Sequence, residues 1–174
     1  MSRFRRGRYK VLERVSNLVE LLISCHPQGF GILLGEVQAP SSREIHEMMN
    51  AGRSQLPEDF KATMPNLETE AERIVYDREY FDRSVELAGG WGHIHYVSQE
   101  CRKMDSRKWS VVMDHVRFVE KSASRYMSKL GYIATRYSLA PRTVTKYRKE
   151  FPHILAEMLL ISPGEDDNFY LLPG

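Results

Sequence analysis

The chain has little of what disulfide-rich, membrane-spanning or secreted proteins require. Two cysteines, Cys25 and Cys101, give no disulfide framework in 174 residues, so we expect a reduced, cytosolic setting. No apolar run approaches the roughly 18 residues that span a bilayer, and acidic and basic residues interrupt the stretch after the basic opening, unlike a secretory signal. With 42% hydrophobic and 28% charged residues, the composition indicates one globular domain or two small ones.

Residue clusters with the spacing of catalytic or metal sites are also missing. No glycine-rich loop that would cradle a phosphate is present. His93 and His95 form a His-x-His pair, but a tetrahedral site needs three or four ligands and Cys101 is the one further candidate nearby. Cys25 and His26 are adjacent, which does not orient a base onto a thiol. We therefore interpret both histidines of the pair as solvent-facing or hydrogen-bonded, and expect no enzyme, cofactor or metal.

The net charge is only +2, but it is distributed unevenly. Residues 102–149 contain 13 basic and three acidic side chains, whereas residues 36–100 and the segment 165–167 are acidic. A solvated helix face explains most runs of like charge. A basic module attached to an acidic body is also typical of nucleic-acid-binding proteins. Because this run coincides with the motif described next, we favour nucleic-acid binding.

The most informative stretch, LGYIATRYSLAPRTVTKYRK, occupies residues 130–149. Ile133 and Ala134 place an apolar residue and then a small one where two helices would cross closely. Pro141 fits the first turn of a second helix, where its missing N–H has no intrahelical partner to lose, although Ala140 before it is a poor cap. The pattern predicts a helix-turn-helix, whose second helix usually lies in the DNA major groove.

In this second helix, inward and outward positions should separate. The inward positions are Val144, Tyr147 or Arg148, and Phe151. The outward positions, which we expect to bind DNA, are Arg142, Thr143, Thr145, Lys146 and Lys149. The arginine can form a forked contact with guanine, the threonines can reach a phosphate or a thymine methyl, and the lysines suit phosphates. Arg136 and Tyr137, at the end of the first helix, are expected to touch the DNA backbone.

Hydrophobic periodicity and capping residues predict a mainly α protein, a helical body followed by the helix-turn-helix. Besides the two helices of the motif, helices are expected over residues 9–24, 42–51, 66–87, from Ser106 onward, and 154–160, with a basic arm at residues 1–8. Ser41 and Glu44 have the spacing of a capping box, and Asp105 can cap the helix from Ser106. Phe151 precedes a proline and should end the second motif helix.

Two other regions are less regular. Residues 30–38 are apolar and punctuated by glycine, and fit either a short strand or a buried loop, while residues 93–101 are short and mixed. The glycine cluster at residues 89–92 is either the best internal boundary or a tight turn. Taken as a boundary, it separates an N-terminal helical region (1–92) from a DNA-binding region (93–162) and an acidic, apolar tail (163–174).

Residues 97–160 resemble a sigma-factor region-4-like module and the C-terminal half of phage Q-type antiterminators. In this segment, as in those modules, a helix carrying Trp109, Val112 and Met113 precedes the helix-turn-helix, YIATRYSLAPRTVTKYRKEF. The positions that carry the resemblance are Ile133, Ala134, Leu139, Pro141, Arg142, Thr143 and Val144. The resemblance implies a sequence-specific regulator of transcription, a late-gene antiterminator or activator, in the cytoplasm of a bacterial or phage-infected cell. It also implies double-stranded DNA and RNA polymerase or its sigma factor as partners.

Two other functions fit the same sequence. A phage terminase small subunit also joins a helix-turn-helix to a helical body, which forms rings for DNA packaging. A helical protein-interaction domain without a nucleic-acid role is the third. Val11, Val15, Leu18 and Leu22 form an apolar stripe that fits either ordinary core or a coiled-coil seam, so homo-oligomerisation stays open.

Overall fold

The computed structural model describes residues 3–52, 69–118 and 128–161, and its regular structure in these ranges is helical. The helices are α1 (Arg3–Cys25), α2 (Gly29–Leu34), α3 (Ser42–Gly52), α4 (Glu70–Leu87), α5 (Trp91–Met104), α6 (Ser106–Val116), α7 (Lys129–Tyr137) and α8 (Pro141–Ile161). The prediction of a mainly α protein is confirmed. The first helix begins at Arg3, so it takes in most of the predicted basic arm, whereas the tail 163–174 and residues 66–68 lie outside the described residues.

None of the described helices is long and apolar enough to cross a membrane.

Residues 29–34 form helix α2, so the strand-or-loop prediction for this part of residues 30–38 is wrong. Every residue of α2 is buried, which explains the unbroken apolar sequence, since a short buried helix and a buried strand have the same pattern. A Cβ on Gly29 would lie 2.0 Å from the carbonyl oxygen of Leu22, so glycine lets α2 start close against α1. Gly35 ends the helix with a left-handed φ of 76°.

The C-terminal segment is also more helical than predicted. Residues 93–101 lie inside α5, whose inner face is formed by Ile94, Val97 and Ser98. Helix α8 continues through Pro152, so the predicted end at Phe151 and the separate helix over residues 154–160 are wrong. A proline inside a helix removes one backbone hydrogen bond. Packing compensates here, because Pro152 itself is buried and α1, α5 and α6 all pack against α8.

One hydrophobic core contains residues from each of the helices α1 through α6 and from the second half of α8. Its largest fully buried members include Phe30, Phe81 and Leu22, and Phe151, Leu155 and Leu159 bring α8 into it. This core contains residues from both sides of the glycine cluster 89–92. Gly89 and Gly90 lie in a tight turn with left-handed φ, and Trp91 and Gly92 begin α5. The apolar stripe of α1 lies against or within the same core.

Helix starts follow the capping predictions in part. Asp105 caps α6, since its carboxylate accepts a hydrogen bond from the Lys108 N–H at 3.0 Å. Ser41 accepts from the Glu44 N–H at 3.2 Å, but the Glu44 carboxylate is hydrogen-bonded to His26 Nε2 at 2.9 Å. Only half of the predicted capping box therefore forms, because the long-range partner takes the side chain that would close it.

A buried polar pair links α3 to α4. His46 Nδ1 and Asp77 Oδ2 lie 2.7 Å apart, and the two residues are 7% and 0% exposed. The other ring nitrogen of His46 lies 3.2 Å from the Asn50 side-chain amide. Such groups are tolerated inside a protein only when they are hydrogen-bonded, so removing one partner leaves the other desolvated and unpaired.

Asp77→Ala should lower the free energy of unfolding by about 3 kcal/mol, because it strands a buried imidazole. Asp82→Ala, on the same helix, is the matched control. Its carboxylate pairs with Arg78 at 2.9 Å but is half exposed, so the loss should stay below about 1 kcal/mol. Urea unfolding followed by circular dichroism measures both, and equal losses would contradict the importance assigned to the buried pair.

Candidate nucleic-acid interface

Helices α7 and α8 are joined by three residues, 138–140, and we call residues 129–149 the helical hairpin. Ser138 adopts a left-handed φ of 54°. The N–H groups of Ser138 and Leu139 donate to the carbonyls of Thr135 and Ala134 at 3.3 and 2.9 Å, so two carbonyls at the end of α7 are satisfied inside the turn. Local hydrogen bonds thus fix where the chain reverses.

A second, smaller hydrophobic cluster lies beneath the hairpin. Ile133 and Ala134 of α7, Val144 of α8 and Val111 of α6 are all buried, with exposures of 0 to 5%. Leu139, in the turn, is partly buried and packs against this cluster. The three helices α6, α7 and α8 therefore pack as a unit, and the small side chain of Ala134 lies at the contact between them.

Three of the four cations predicted to bind DNA lie on one outer face of α8. Arg142, Lys146 and Lys149 are exposed, and their spacing of four and then three residues places them on one side of a helix. Among the residues that the structure describes, none of the three forms an ion pair. Val144 and Phe151 are buried beneath them. The basic face is therefore available to a partner.

The other three residues predicted to bind DNA, Thr143, Thr145 and Arg136, are either half-buried or already in contact with the protein. Thr145 is exposed, and its hydroxyl donates back to the Pro141 carbonyl at 3.3 Å, while Thr143 is half-buried. Arg136 is exposed, but its guanidinium lies 3.6 Å from the Asp114 carboxylate of α6. Four of the five outward residues predicted on α8 are exposed, and Arg136 shares its surface with an acid.

Asp114 is a residue of this region that sequence reasoning missed. The Tyr137 hydroxyl donates a hydrogen bond to its carboxylate. Burial and the Asp114 carboxylate together raise the pKa of Tyr137 to about 12, so the phenol stays protonated and keeps donating. Since Asp114 lies 23 residues before Tyr137, no local pattern connects the two. Their contact fixes the end of α7 against α6.

The strongest polar contact of α8 is with the first helix. Arg148 donates from both terminal nitrogens to the Glu20 carboxylate at 2.9 and 2.7 Å, and also to the Ser24 hydroxyl at 2.8 Å. Ser24 in turn donates to Glu20 at 2.7 Å. Tyr147 and Arg148, the two alternatives for an inward position of α8, are both half-buried. Arg148 binds α1, and the centre of the Tyr147 ring lies 4.8 Å from the Lys108 ammonium. The Glu20–Arg148–Ser24 cluster holds α8 on α1.

Positive charge also builds up behind the hairpin. Burial, with the nearby charges of Lys129 and Arg148, lowers the pKa of His115 to about 4, so its imidazole is neutral at pH 7. Among the residues that the structure describes, its Nδ1 is buried without a hydrogen-bond partner. Burial and Arg148 also lower the pKa of Lys129. The ammonium and guanidinium repel each other, and the Glu20 carboxylate is the anion that offsets Arg148.

The candidate ligands and nucleophiles named from the sequence are used in packing. His93 Nε2 lies 2.8 Å from the Leu159 carbonyl, and His95 stacks on Trp91. Burial raises the pKa of the Cys25 thiol, and raises that of Cys101 to about 11, so neither is a thiolate near pH 7. Among the described residues, no group of three or more histidine, cysteine or acidic side chains is placed to hold a metal ion.

Comparison of the chain with protein-family models, with curated proteins and with solved structures finds no match.

The Glu20–Arg148–Ser24 cluster makes the free energy of unfolding depend on pH in the acidic range. Burial by itself would raise the pKa of Glu20, but the hydrogen bonds from Arg148 and Ser24 and the charge of Arg148 outweigh it and lower the pKa below the ordinary 4.5. A carboxyl with a lowered pKa stabilises the fold above its unfolded-state pKa, and that stabilisation is lost as pH falls through the folded-state value.

Glu20→Gln should therefore cost about 1 kcal/mol at pH 7, a value discounted for partial exposure. The cost should shrink below pH 4.5, where the wild-type carboxyl gains its proton. Guanidinium unfolding from pH 3 to pH 7 measures this. Glu86→Gln is the control, since Glu86 forms an exposed pair with Arg83. If the cost of Glu20→Gln were the same at every pH, the acid dependence would not come from Glu20.

Proposed function

We propose that this protein binds double-stranded DNA sequence-specifically and regulates transcription, with the N-terminal half of α8 as the contact helix. The observation that carries the proposal is the outer face of that helix. Three exposed cations, Arg142, Lys146 and Lys149, lie there without an ion pair among the described residues. An exposed cationic face on a helix that follows a tight turn suits the DNA groove and its phosphates.

The side chains on this face suggest different roles. Arg142 is in the first turn of α8, where its fork of N–H donors can pair with O6 and N7 of guanine. Lys146 and Lys149 follow at four- and three-residue steps and suit phosphates, as compact charges on flexible stems. Thr143 and Thr145 add hydroxyl and methyl groups at the edge of the face. Base recognition is thus assigned to the arginine, and most of the salt-dependent affinity to the lysines.

The rest of the molecule would serve as the support for this face. Helix α8 is one 21-residue helix whose second half, from Phe151 on, is part of the main core. The N-terminal half thereby acquires a role in the proposal, since α1 binds Arg148 through Glu20 and positions α8. A contact helix mounted on a core needs little ordering when it binds, and this favours affinity.

The finer role is also a proposal: a late-gene antiterminator or activator that acts in the cytoplasm with RNA polymerase or its sigma factor. The sequence resemblance of residues 97–160 supports it. The mass of the protein in solution tests it against the packaging alternative. A monomer or dimer agrees with a regulator, and a large ring would favour a terminase small subunit.

The DNA-binding proposal is tested by the salt dependence of duplex affinity. Selection from a random duplex pool provides the target, and fluorescence anisotropy gives Kd at several salt concentrations. Lys146→Ala should lower the slope of log Kd against log salt by about one, the loss of one phosphate contact. Arg142→Ala should cost about 1–3 kcal/mol on the selected sequence and much less on unrelated DNA.

Arg83→Ala is the matched control, because Arg83 is exposed on α4, away from the hairpin, and pairs with Glu86. It should leave both affinity and slope unchanged. Unchanged affinity and slope in the Arg142→Ala and Lys146→Ala variants would show that α8 is not the contact helix. Circular dichroism confirms that each variant is folded, and the exposure of all three residues makes that the expected result.

A further inference from the structure

The Arg136–Asp114 pair lies next to the start of the cationic face of α8. Arg136 is one residue before the end of α7, and a three-residue turn joins that end to the helix turn that contains Arg142. Arg136, Ser138, Ala140 and Arg142 are all exposed, so exposed side chains lead from the end of α7 to the cationic face. DNA bound as proposed above would bring its phosphates near Arg136.

The contact of Arg136 with Asp114 is loose. The guanidinium nitrogen and the carboxylate oxygen are 3.6 Å apart, whereas hydrogen bonds between such charged groups are about 2.7–2.9 Å long. The Arg136 side chain is 56% exposed, and exposed ion pairs contribute little to stability. Its Cζ lies 5.7 Å from the centre of the Tyr137 ring, which adds a weak attraction. Arg136 can therefore turn to another anion at small cost.

Asp114, in contrast, is held in place. Its Oδ2 accepts a hydrogen bond from the Tyr137 hydroxyl, and the same oxygen faces Arg136. The Asp114 side chain is 26% exposed, so it lies deeper than Arg136 without being shielded from solvent. The Tyr137 hydroxyl keeps the carboxylate in position when Arg136 moves away. A fixed negative charge then faces an approaching phosphate, and like charges in close contact oppose binding.

We propose that Asp114 lowers the affinity for DNA by competing with a phosphate for Arg136. This inference rests on the proposed DNA binding and adds a limit to it. While Arg136 stays with Asp114, the pair is neutral and the phosphate contact that Arg136 would supply is withheld. Phosphate contacts carry no sequence information, so the carboxylate weakens binding to all duplexes alike. Asp114 is thus a positioning residue, and the base discrimination assigned to Arg142 is unaffected by it.

Asp114→Asn separates the charge of Asp114 from its structural contact. The amide oxygen still accepts from the Tyr137 hydroxyl, but the negative charge is gone, so Arg136 can bind a phosphate. The full-length variant should bind both the selected duplex and an unrelated one roughly three- to tenfold more tightly, and the slope of log Kd against log salt should rise by about one. Fluorescence anisotropy at several salt concentrations measures both quantities.

Asp82→Asn is the matched control. It makes the same change in net charge, and it also removes the carboxylate of an arginine pair, since Asp82 lies 2.9 Å from Arg78. Both residues belong to α4, outside the helical hairpin. This variant should leave the affinity and the salt slope unchanged, which separates a local effect of Asp114 from a general effect of charge.

Arg136→Ala shows whether the gain depends on Arg136. In the Asp114→Asn background it should return Kd and slope to near the wild-type values, because the site is again neutral and has no phosphate contact. Alone, Arg136→Ala leaves the charge of Asp114 unbalanced and should weaken binding. Misfolding would not produce this combination of a gain, its reversal and a loss.

Two results would overturn the inference and leave DNA binding itself intact. The first is an affinity and slope of Asp114→Asn equal to those of the wild type. The second is a gain that persists in the double variant, since the effect would then not pass through Arg136. If neither the wild type nor Asp114→Asn binds duplex DNA, the proposed function fails, and this inference fails with it.

Discussion

The contact of Arg148 with Glu20 and Ser24 is the interaction on which the arrangement of the cationic face depends. Helix α8 is both a core helix and a surface helix, and its rotation about its own axis decides which residues face outward. Two hydrogen bonds of 2.9 and 2.7 Å to one carboxylate fix that rotation against α1, because a planar guanidinium and a carboxylate pair well in few orientations. Hydrophobic packing alone is less directional.

The same contact shows why the count of basic residues overstates the charge of the C-terminal half. Glu36 of the acidic segment pairs with Arg102, and Glu20 of α1 pairs with Arg148. Asp114 offsets Arg136 in the same way. Among the described residues, Arg142, Lys146 and Lys149 on the first half of α8 have no ion pair, and the same holds for Arg107, Lys108, Arg117 and Lys129 elsewhere in residues 102–149. A concentrated positive face gives a stronger local potential than the net charge of +2 suggests.

How far the sequence predicts this molecule depends on whether the deciding contacts are local. The end of α1 near Cys25 and the start of α6 at Asp105 follow from nearby residues, and both were predictable. Helix α2 was missed because complete burial removes the periodicity on which such predictions rest. Arg148 and Glu20 are 128 residues apart, so no spacing rule connects them, and the continuation of α8 past Pro152 depends on tertiary packing. The outward face of α8 could be predicted from the sequence, because the helical period alone defines that face.

Phe151 connects the cationic face to the main core. Its ring packs on Phe30 and Trp109, with centroids 5.8 and 5.3 Å away, and it lies two residues after Lys149 on the same helix. Closely packed cores shift between discrete arrangements rather than deform smoothly, so the cationic face can move only if the core around Phe151 has a second packing. Because a ligand shifts an equilibrium only by its differential affinity for two states, DNA on this face would reposition α8 only where such a second packing exists.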